Sequence, residues 1–318
     1  MQYRCAILDD FQNVALTFAN WSKIAGDVEV TVFTRHMPTA EEVQAALKDF
    51  HIVCMMRERT PFRRSTLEAL PNLKLLITTG ARNASIDMAA AAARGITVCG
   101  TGSYGNPTTG ITFGLILELT RRIGYEHARL KAGEPWQVTL GPDIEGMTLG
   151  VVGLGKLGTR VAGVAKAFGM KVIAWSQNLT AEKCRDVGVD YAAKDELFRA
   201  ADIVTIHLQL SERSRGTVTA NEFALMKPSA CLINTARGPI VEEKALIAAL
   251  KERRIAGAGL DVFDVEPLPL DHPFRHMDNV VITPHLGYVS RQNYERYFPD
   301  IVENIRAFID GKPVRVIK

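Results

Sequence analysis

The sequence has no Cys-x-x-Cys pair, no apolar run long enough to span a membrane and no block of like charges. Each absence removes a class of function. Its five cysteines (Cys5, Cys54, Cys99, Cys184 and Cys231) sit mostly in apolar, strand-like runs. They read as small buried residues in a reducing compartment, and no metal site is expected from them. Lys and Arg are scattered, and the net charge is only +3 over 318 residues. That argues against a nucleic-acid or membrane partner. The first ten residues, MQYRCAILDD, carry acidic groups where a secretory signal needs an apolar stretch. The expected location is therefore the cytoplasm. No internal repeat or low-complexity tract is present. With 47% hydrophobic and 23% charged residues, the chain suits an ordinary globular protein of about two domains.

What the sequence does have is one organising stretch, Thr148–Gly158, TLGVVGLGKLG. The apolar run Leu149–Val152 suits a strand buried on both faces. Gly153-Leu154-Gly155-Lys156-Leu157-Gly158 then reads G-x-G-x-x-G, and a helical pattern follows from Thr159 to Phe168. Gly153 permits the tight strand-to-helix turn. Gly155 has no Cβ, so a pyrophosphate can approach the backbone. Gly158 lets the helix pack close to the strand. Free N–H groups at the helix start complete a phosphate cradle. Strand, turn and helix in this order point to dinucleotide binding.

Residues 3–100 alternate short apolar runs with helical ones. Strands are expected at Arg4–Leu8, Val28–Phe33, Ile52–Met56, Lys74–Thr78 and Thr97–Val98. Helices fit at Val14–Lys23, Ala40–Lys48, Arg63–Leu70 and Ile86–Ala93. Such alternation predicts a parallel sheet covered on both faces. The first strand runs into Asp9-Asp10-Phe11 rather than a glycine fingerprint, so this half is not expected to bind a dinucleotide. The segment Gly100–Pro107 reads as a domain crossing. A single long helix, Thr109–Ala132, is expected behind it, with an apolar face (Phe113, Leu115, Ile116, Leu117, Leu119) that suits a subunit interface. Beyond the fingerprint helix come strands Lys171–Trp175, Ile203–Leu208, Ala230–Asn234, Ala256–Val262 and Val280–Thr283, and a last helix, Ser290–Ile309. Val314–Ile317 reads as a further strand or an extended tail.

Three residues stand at expected strand ends, the edge where open α/β sheets bind ligands. Arg237, in NTARGP, either forks onto a carboxylate or caps the sheet edge in an ion pair. Glu266, in DVFDVEP, and His285, in TPHLG, make a pair able to hold and move a proton, since a carboxylate favours the charged imidazole.

With these motifs the chain resembles the D-isomer-specific 2-hydroxyacid dehydrogenases, a family that includes glyoxylate/hydroxypyruvate reductases and D-lactate, D-glycerate and phosphoglycerate dehydrogenases. TLGVVGLGKLG, Asp202-Ile-Val-Thr-Ile-His207-Leu, LMKPSACLINTARGPIVEEKAL, AGLDVFDVEP and TPHLGY carry the resemblance almost from end to end. It implies an α/β chain of two doubly wound parallel-sheet domains. A Rossmann NAD(P)-binding domain, residues 102–285, is inserted in a flavodoxin-like substrate domain, residues 1–101 plus 286–318. It implies hydride transfer between NAD(P)H and a small 2-oxo acid or D-2-hydroxy acid in a cleft that closes on binding. His285 is then the proton donor and acceptor, Glu266 orients it, and Arg237 binds the carboxylate. Gly153, Gly155, Lys156, Leu157 and Gly158 hold the pyrophosphate. Ser176, Gln177 and Asn178 face the adenosine ribose. His207, Leu208, Thr235, Ala236, Asp261 and Gly287 line the nicotinamide half. A homodimer through the helix after Pro107 is also implied.

The chain departs from the family pattern in two places. Ser176 stands where NAD users carry an acidic residue, which leans the cofactor towards NADP over NAD. No Arg follows directly, and Lys183 and Arg185 are the next cations after it. Gly110 replaces a Glu frequent in relatives, which touches only local helix geometry. For the substrate, Arg57-Glu58-Arg59-Thr60 and Thr79-Gly80-Ala81-Arg82-Asn83 fall on loops that face the cleft in the family. Arg57, the backbone N–H groups near Gly80 and Ala81, Arg237 and His285 are the expected substrate contacts. Arg57, Arg59 and Arg82 either meet a second anionic group or are solvated or paired with Glu58. The resemblance also implies that Trp136 reaches a neighbouring subunit's pocket, as a tryptophan in this region does in some relatives. Two other readings stay open: oxidation of 3-phosphoglycerate, weakened because no regulatory domain is seen, and a dinucleotide-sensing interaction protein, weakened by the intact Arg237, Glu266 and His285.

Overall fold

The computed structural model of the protein describes residues 2–318. The chain divides into two compact units, residues 1–105 with 289–318, and residues 106–288.

The first unit is a parallel five-stranded sheet. Its elements are β1 (Tyr3–Ile7), β2 (Val28–Val32), α1 (Ala40–Leu47), β3 (Ile52–Met55), α2 (Arg64–Glu68), β4 (Leu75–Thr78), α3 (Met88–Ala93) and β5 (Thr97–Cys99). The strand order β2-β1-β3-β4-β5 is flavodoxin-like, as expected. β3 and β4 are buried throughout, which is why they read as unbroken apolar runs. The last helix, Arg291–Ile309, returns to this unit and buries Tyr294, Tyr297, Phe298, Ile301, Val302 and Ile305. Val316 then makes a single antiparallel bridge to Cys99.

The expected helix Val14–Lys23 is instead a pair of short 3₁₀ turns, Ala15–Thr17 and Trp21–Lys23. Side chains outcompete the helical ladder here. The Asp10 carboxylate accepts from Val14 N and Ala15 N, and Asn20 Oδ1 accepts from Ser22 N.

The second unit opens with α4 (Thr108–Arg121) and α5 (Ile123–Lys131). These replace the expected single helix. Arg122 sits between them in the left-handed region, φ 49°, and the Glu118 carboxylate accepts from Gly124 N at 2.7 Å, capping the second helix. The apolar face expected to pair subunits turns inward. Phe113, Leu115 and Ile116 are buried in a core with Leu149, Val151, Val161 and Ile233.

β6 (Thr148–Val152), α6 (Lys156–Ala167), β7 (Lys171–Trp175), α7 (Ala181–Asp186), β8 (Asp190–Tyr191), α8 (Lys194–Ala200), β9 (Ile203–Ile206), α9 (Ala220–Leu225), β10 (Cys231–Asn234), α10 (Glu243–Lys251), β11 (Gly257–Leu260) and β12 (Val280–Ile282) follow. All pair in parallel in the order β12-β11-β10-β9-β6-β7-β8. The order reverses between β9 and β6, which puts the ligand crevice of a doubly wound sheet at the carboxyl ends of these strands. No helix among the described residues is long and apolar enough to cross a membrane.

Candidate active site

The glycine fingerprint is built as its spacing demands. β6 ends at Val152, and Gly153 turns the chain with φ +105°, a conformation that excludes most side chains. Gly158 lies in the first turn of α6, where a Cβ would run into the Gly153 carbonyl. A Cβ on Gly155 would meet nothing within 4 Å, so this position faces open space beside exposed Lys156 and half-buried Leu157.

The same strand edge carries His207, just past β9. Its Nε2 lies 2.9 Å from Thr205 Oγ1, while its Nδ1 is buried with no hydrogen-bond partner among the described residues. Burial pushes its pKa down to about 3, so the ring is neutral. Past β10, Thr235 and Ala236 are buried, and Thr235 Oγ1 meets Thr112 Oγ1 of α4 at 3.1 Å. Open space over Gly155 and an orphaned polar atom on His207 fit a bound dinucleotide.

The proton-handling pair comes from two adjacent strand ends. The loop after β11 carries Glu266, and the loop after β12 carries His285. His285 Nδ1 and Glu266 Oε2 are 2.6 Å apart, and Glu266 Oε1 accepts from Phe263 N at 2.9 Å. Burial alone would push the Glu266 pKa up. The hydrogen bond and charge of His285, the Phe263 N–H and the charge of Arg237 instead hold it below the ordinary carboxylate value. Arg237 is half-buried, its Nη1 donating to Ala236 O at 2.7 Å. Asn234 steadies the turn on both sides, accepting from Ala236 N and donating to Arg237 O. Gly238 brings Glu266 close, because a Cβ there would strike the Phe263 and Asp264 backbone.

Asp261 does something the sequence reading missed. It is fully buried at the end of β11. Its Oδ1 accepts from Thr283 Oγ1 at 2.6 Å and from Leu286 N at 2.7 Å, and its Oδ2 accepts from Gly287 N at 2.8 Å. Three of a carboxylate's roughly four acceptor positions are thus spent on the turn that presents His285. Burial pushes the Asp261 pKa up despite these bonds. Thr108 locks the turn from α4 by donating to Gly287 O at 2.8 Å.

The end of β7 bears Ser176, Gln177 and Asn178, the last two exposed. The cation that reaches them is neither Lys183 nor Arg185. It is Arg213, whose Nη2 donates to Asn178 Oδ1 at 3.2 Å. Sequence distance hid it, because β7 and β9 flank β6 on opposite sides and the loop past β9 crosses to the end of β7.

Arg57, Gly80 and Ala81 lie in the first unit and form a cluster of their own. Arg57 has φ 55°, and its Nη1 donates to Thr79 O at 3.4 Å, lying over Gly80 where any Cβ would collide with it. Gly80 N already donates to Thr101 Oγ1 at 2.8 Å, so that donor is committed within the fold. Among the described residues no cluster of His, Cys, Asp or Glu is arranged to hold a metal ion.

Residues 113–287 match the model of the D-isomer specific 2-hydroxyacid dehydrogenase, NAD binding domain. The chain belongs to this family. It is 37% identical over 255 residues to a glyoxylate reductase of Aeropyrum pernix, covering 77% of this chain and 76% of that protein. It is 33% identical over 300 residues to a glyoxylate reductase of Korarchaeum cryptofilum, covering 92% and 90%. Among solved structures, a phosphoglycerate oxidoreductase from Vibrio cholerae superposes with a TM-score of 0.92 at 35% identity, over 98% of this chain and 100% of that one. This dehydrogenase therefore moves a hydride between a nicotinamide dinucleotide and a 2-oxo or 2-hydroxy acid.

Proposed function

We propose that this dehydrogenase reduces a small 2-oxo acid of the size of glyoxylate or hydroxypyruvate, with NADPH preferred over NADH. The 2.6 Å contact between His285 and Glu266 carries the reading. Because Glu266 engages Nδ1, His285 holds its transferable proton at Nε2. A bound reduced nicotinamide supplies the hydride. His285 gives its proton to the forming alkoxide and takes it back in the reverse direction. Glu266 is a positioning residue that keeps the imidazole turned to the substrate. Arg237 forks onto the substrate carboxylate and draws electron density from the neighbouring carbonyl.

On the cofactor side, Gly153, Gly155, Lys156, Leu157 and Gly158 bind the pyrophosphate, and Ser176, Gln177 and Asn178 bind the adenosine ribose. His207, Leu208, Thr235, Ala236, Asp261 and Gly287 line the nicotinamide half. The lean to NADPH rests on the Trp175-Ser176-Gln177-Asn178 strand end, which has no carboxylate to repel a 2′-phosphate. Arg57 and the Ala81 N–H, rather than that of Gly80, serve the substrate's anionic groups. Relatives named glyoxylate reductase and hydroxypyruvate reductase support the substrate size.

A second reading is oxidation of D-3-phosphoglycerate, in which Arg57, whose Nη1 lies over Gly80 and whose Nε lies 3.8 Å from Glu58 Oε2, meets a second anion. A relative in Methanocaldococcus jannaschii is named D-3-phosphoglycerate dehydrogenase, at 35% identity. One assay separates the two. NADPH and NADH oxidation are followed against glyoxylate, hydroxypyruvate, pyruvate, phenylpyruvate and 2-oxoglutarate, and NAD(P)+ reduction against 3-phosphoglycerate. Fast turnover of glyoxylate or hydroxypyruvate is expected. Turnover confined to 3-phosphoglycerate would replace the first reading with the second.

The protein works as a homodimer in this reading. Ile123, Tyr125, Leu130, Trp136, Val138 and Leu140 are all exposed within one short stretch. Patches of that kind mark association surfaces, and a second copy is the occupant. Five free cysteines fit a cytoplasmic setting.

A further inference from the structure

We infer that Arg213 is the residue that selects NADPH, by binding the adenosine 2′-phosphate. The inference rests on the NADPH reading above and gives that preference a side chain.

Three observations carry it. First, Arg213 reaches the ribose-binding end of β7 from a loop past β9. Its Nη2 donates to Asn178 Oδ1 at 3.2 Å, and its carbonyl accepts from Gln177 Nε2 at 2.6 Å. Both ends of the residue are thus tied to the two positions beside Ser176.

Second, the loop that presents it is firmly built. Ser214 is buried, its Oγ accepting from Ser211 N at 2.8 Å and donating to Gln209 O at 2.7 Å. Arg215 N bonds Ser211 O, Thr217 Oγ1 bonds Ser214 O, and Gly216 N bonds Pro239 O. The loop is thus held in place before any ligand arrives, and the guanidinium extends from it to Asn178.

Third, its charge is available. The side chain's partner is a neutral amide, and Ser176, Gln177 and Asn178 are neutral too. The acid beside it in the loop is Glu212. A guanidinium has five N–H donors, so one bond to Asn178 leaves a fork free for phosphate oxygens. A phosphomonoester carries about −1.5 to −2 charge at neutral pH, whereas NADH offers only a hydroxyl at that carbon. The difference in charge is what Arg213 can read.

The test is calorimetric titration of the full-length protein, without substrate, using NADPH, NADH, 2′,5′-ADP and 5′-AMP. The wild type is expected to bind NADPH and 2′,5′-ADP more tightly than NADH and 5′-AMP. Arg213→Ala should lose about tenfold or more in affinity for the two 2′-phosphates, the order of one charge-assisted fork. Its NADH affinity should move less than twofold. Arg213→Lys should recover part of the loss, as a point charge without the fork. Both variants should keep the wild-type melting temperature, since the side chain is on the surface. If the wild type binds NADPH no more tightly than NADH, the cofactor reading fails. If the wild type prefers NADPH and Arg213→Ala keeps that preference, Arg213 is not the selector and the cofactor reading stands.

Discussion

His285 presents its Nδ1 to Glu266 Oε2 at 2.6 Å from a backbone with φ 52°, a conformation rare for any residue but glycine. Such strain persists only where surrounding bonds enforce it. Here the Asp261 carboxylate supplies them through Leu286 N and Gly287 N.

Replacing His285 by Asn should cut kcat by about 10²–10⁴-fold, the usual worth of a placed general acid. Dinucleotide affinity, read by calorimetry, should barely change. Near-normal turnover would remove His285 from the mechanism.

The lowered Glu266 pKa sets a pH window. A carboxylate whose folded pKa is depressed contributes above its unfolded value, about 4.3, and loses that contribution as pH falls through the folded value. Activity should therefore show no Glu266-dependent loss from neutral pH down through the ordinary carboxylate range, and fall only below it. A Glu266→Gln profile of kcat/KM should be lower throughout and lack that acid limb. An acid limb unchanged in Glu266→Gln would assign it to another group.

Arg237→Lys keeps the charge and removes the fork. KM for the 2-oxo acid should rise at least tenfold, with cofactor affinity preserved. A KM within twofold of wild type would leave Arg237 as a cap on the sheet edge.

Gly155→Ala and Gly158→Ala should fail differently. A Cβ at Gly155 enters open space, so the fold should keep its melting temperature while dinucleotide affinity drops. A Cβ at Gly158 collides with the Gly153 carbonyl, so overpacking should destabilise the second unit by about 1–3 kcal/mol. Thermal melts with calorimetry separate the two outcomes, and equal melting temperatures would contradict the packing argument.

If six exposed apolar residues between Ile123 and Leu140 cover one another in a dimer, light scattering should give about twice 35.0 kDa. Trp136→Asp with Leu140→Asp should shift it to the monomer mass. A monomeric wild type would refute the dimer.

The sheet was legible because its strands are buried on both faces, so Ile52–Met55 and Leu75–Thr78 appear as plain apolar runs. Glu266 and His285 were legible because each lies in the loop that follows a short apolar strand, β11 or β12. The break at Arg122 was not, since the helical pattern continues across it and the cap depends on Glu118 reaching Gly124. The apolar face of α4 was assigned to a partner because sequence periodicity does not say what a face packs against. The anchoring role of Asp261 depends on β11 and β12 lying side by side, and the reach of Arg213 on β7 and β9 both flanking β6. That information lies in the strand order, not in any local spacing.

The divided first unit has a consequence for the order of synthesis. Its last helix supplies Phe298 and Tyr297 to the core, and Asp300 and Asn304 bind Gly102 N and Gly100 O. Yet the whole second unit, residues 106–288, is translated between the two parts. At about 5–20 residues per second, the nascent β1–β5 sheet waits roughly 10–40 s for its missing helix. The half nearest the start of the chain is therefore the last to be completed, and in the interval its apolar surface is open to chaperones and to neighbouring nascent chains.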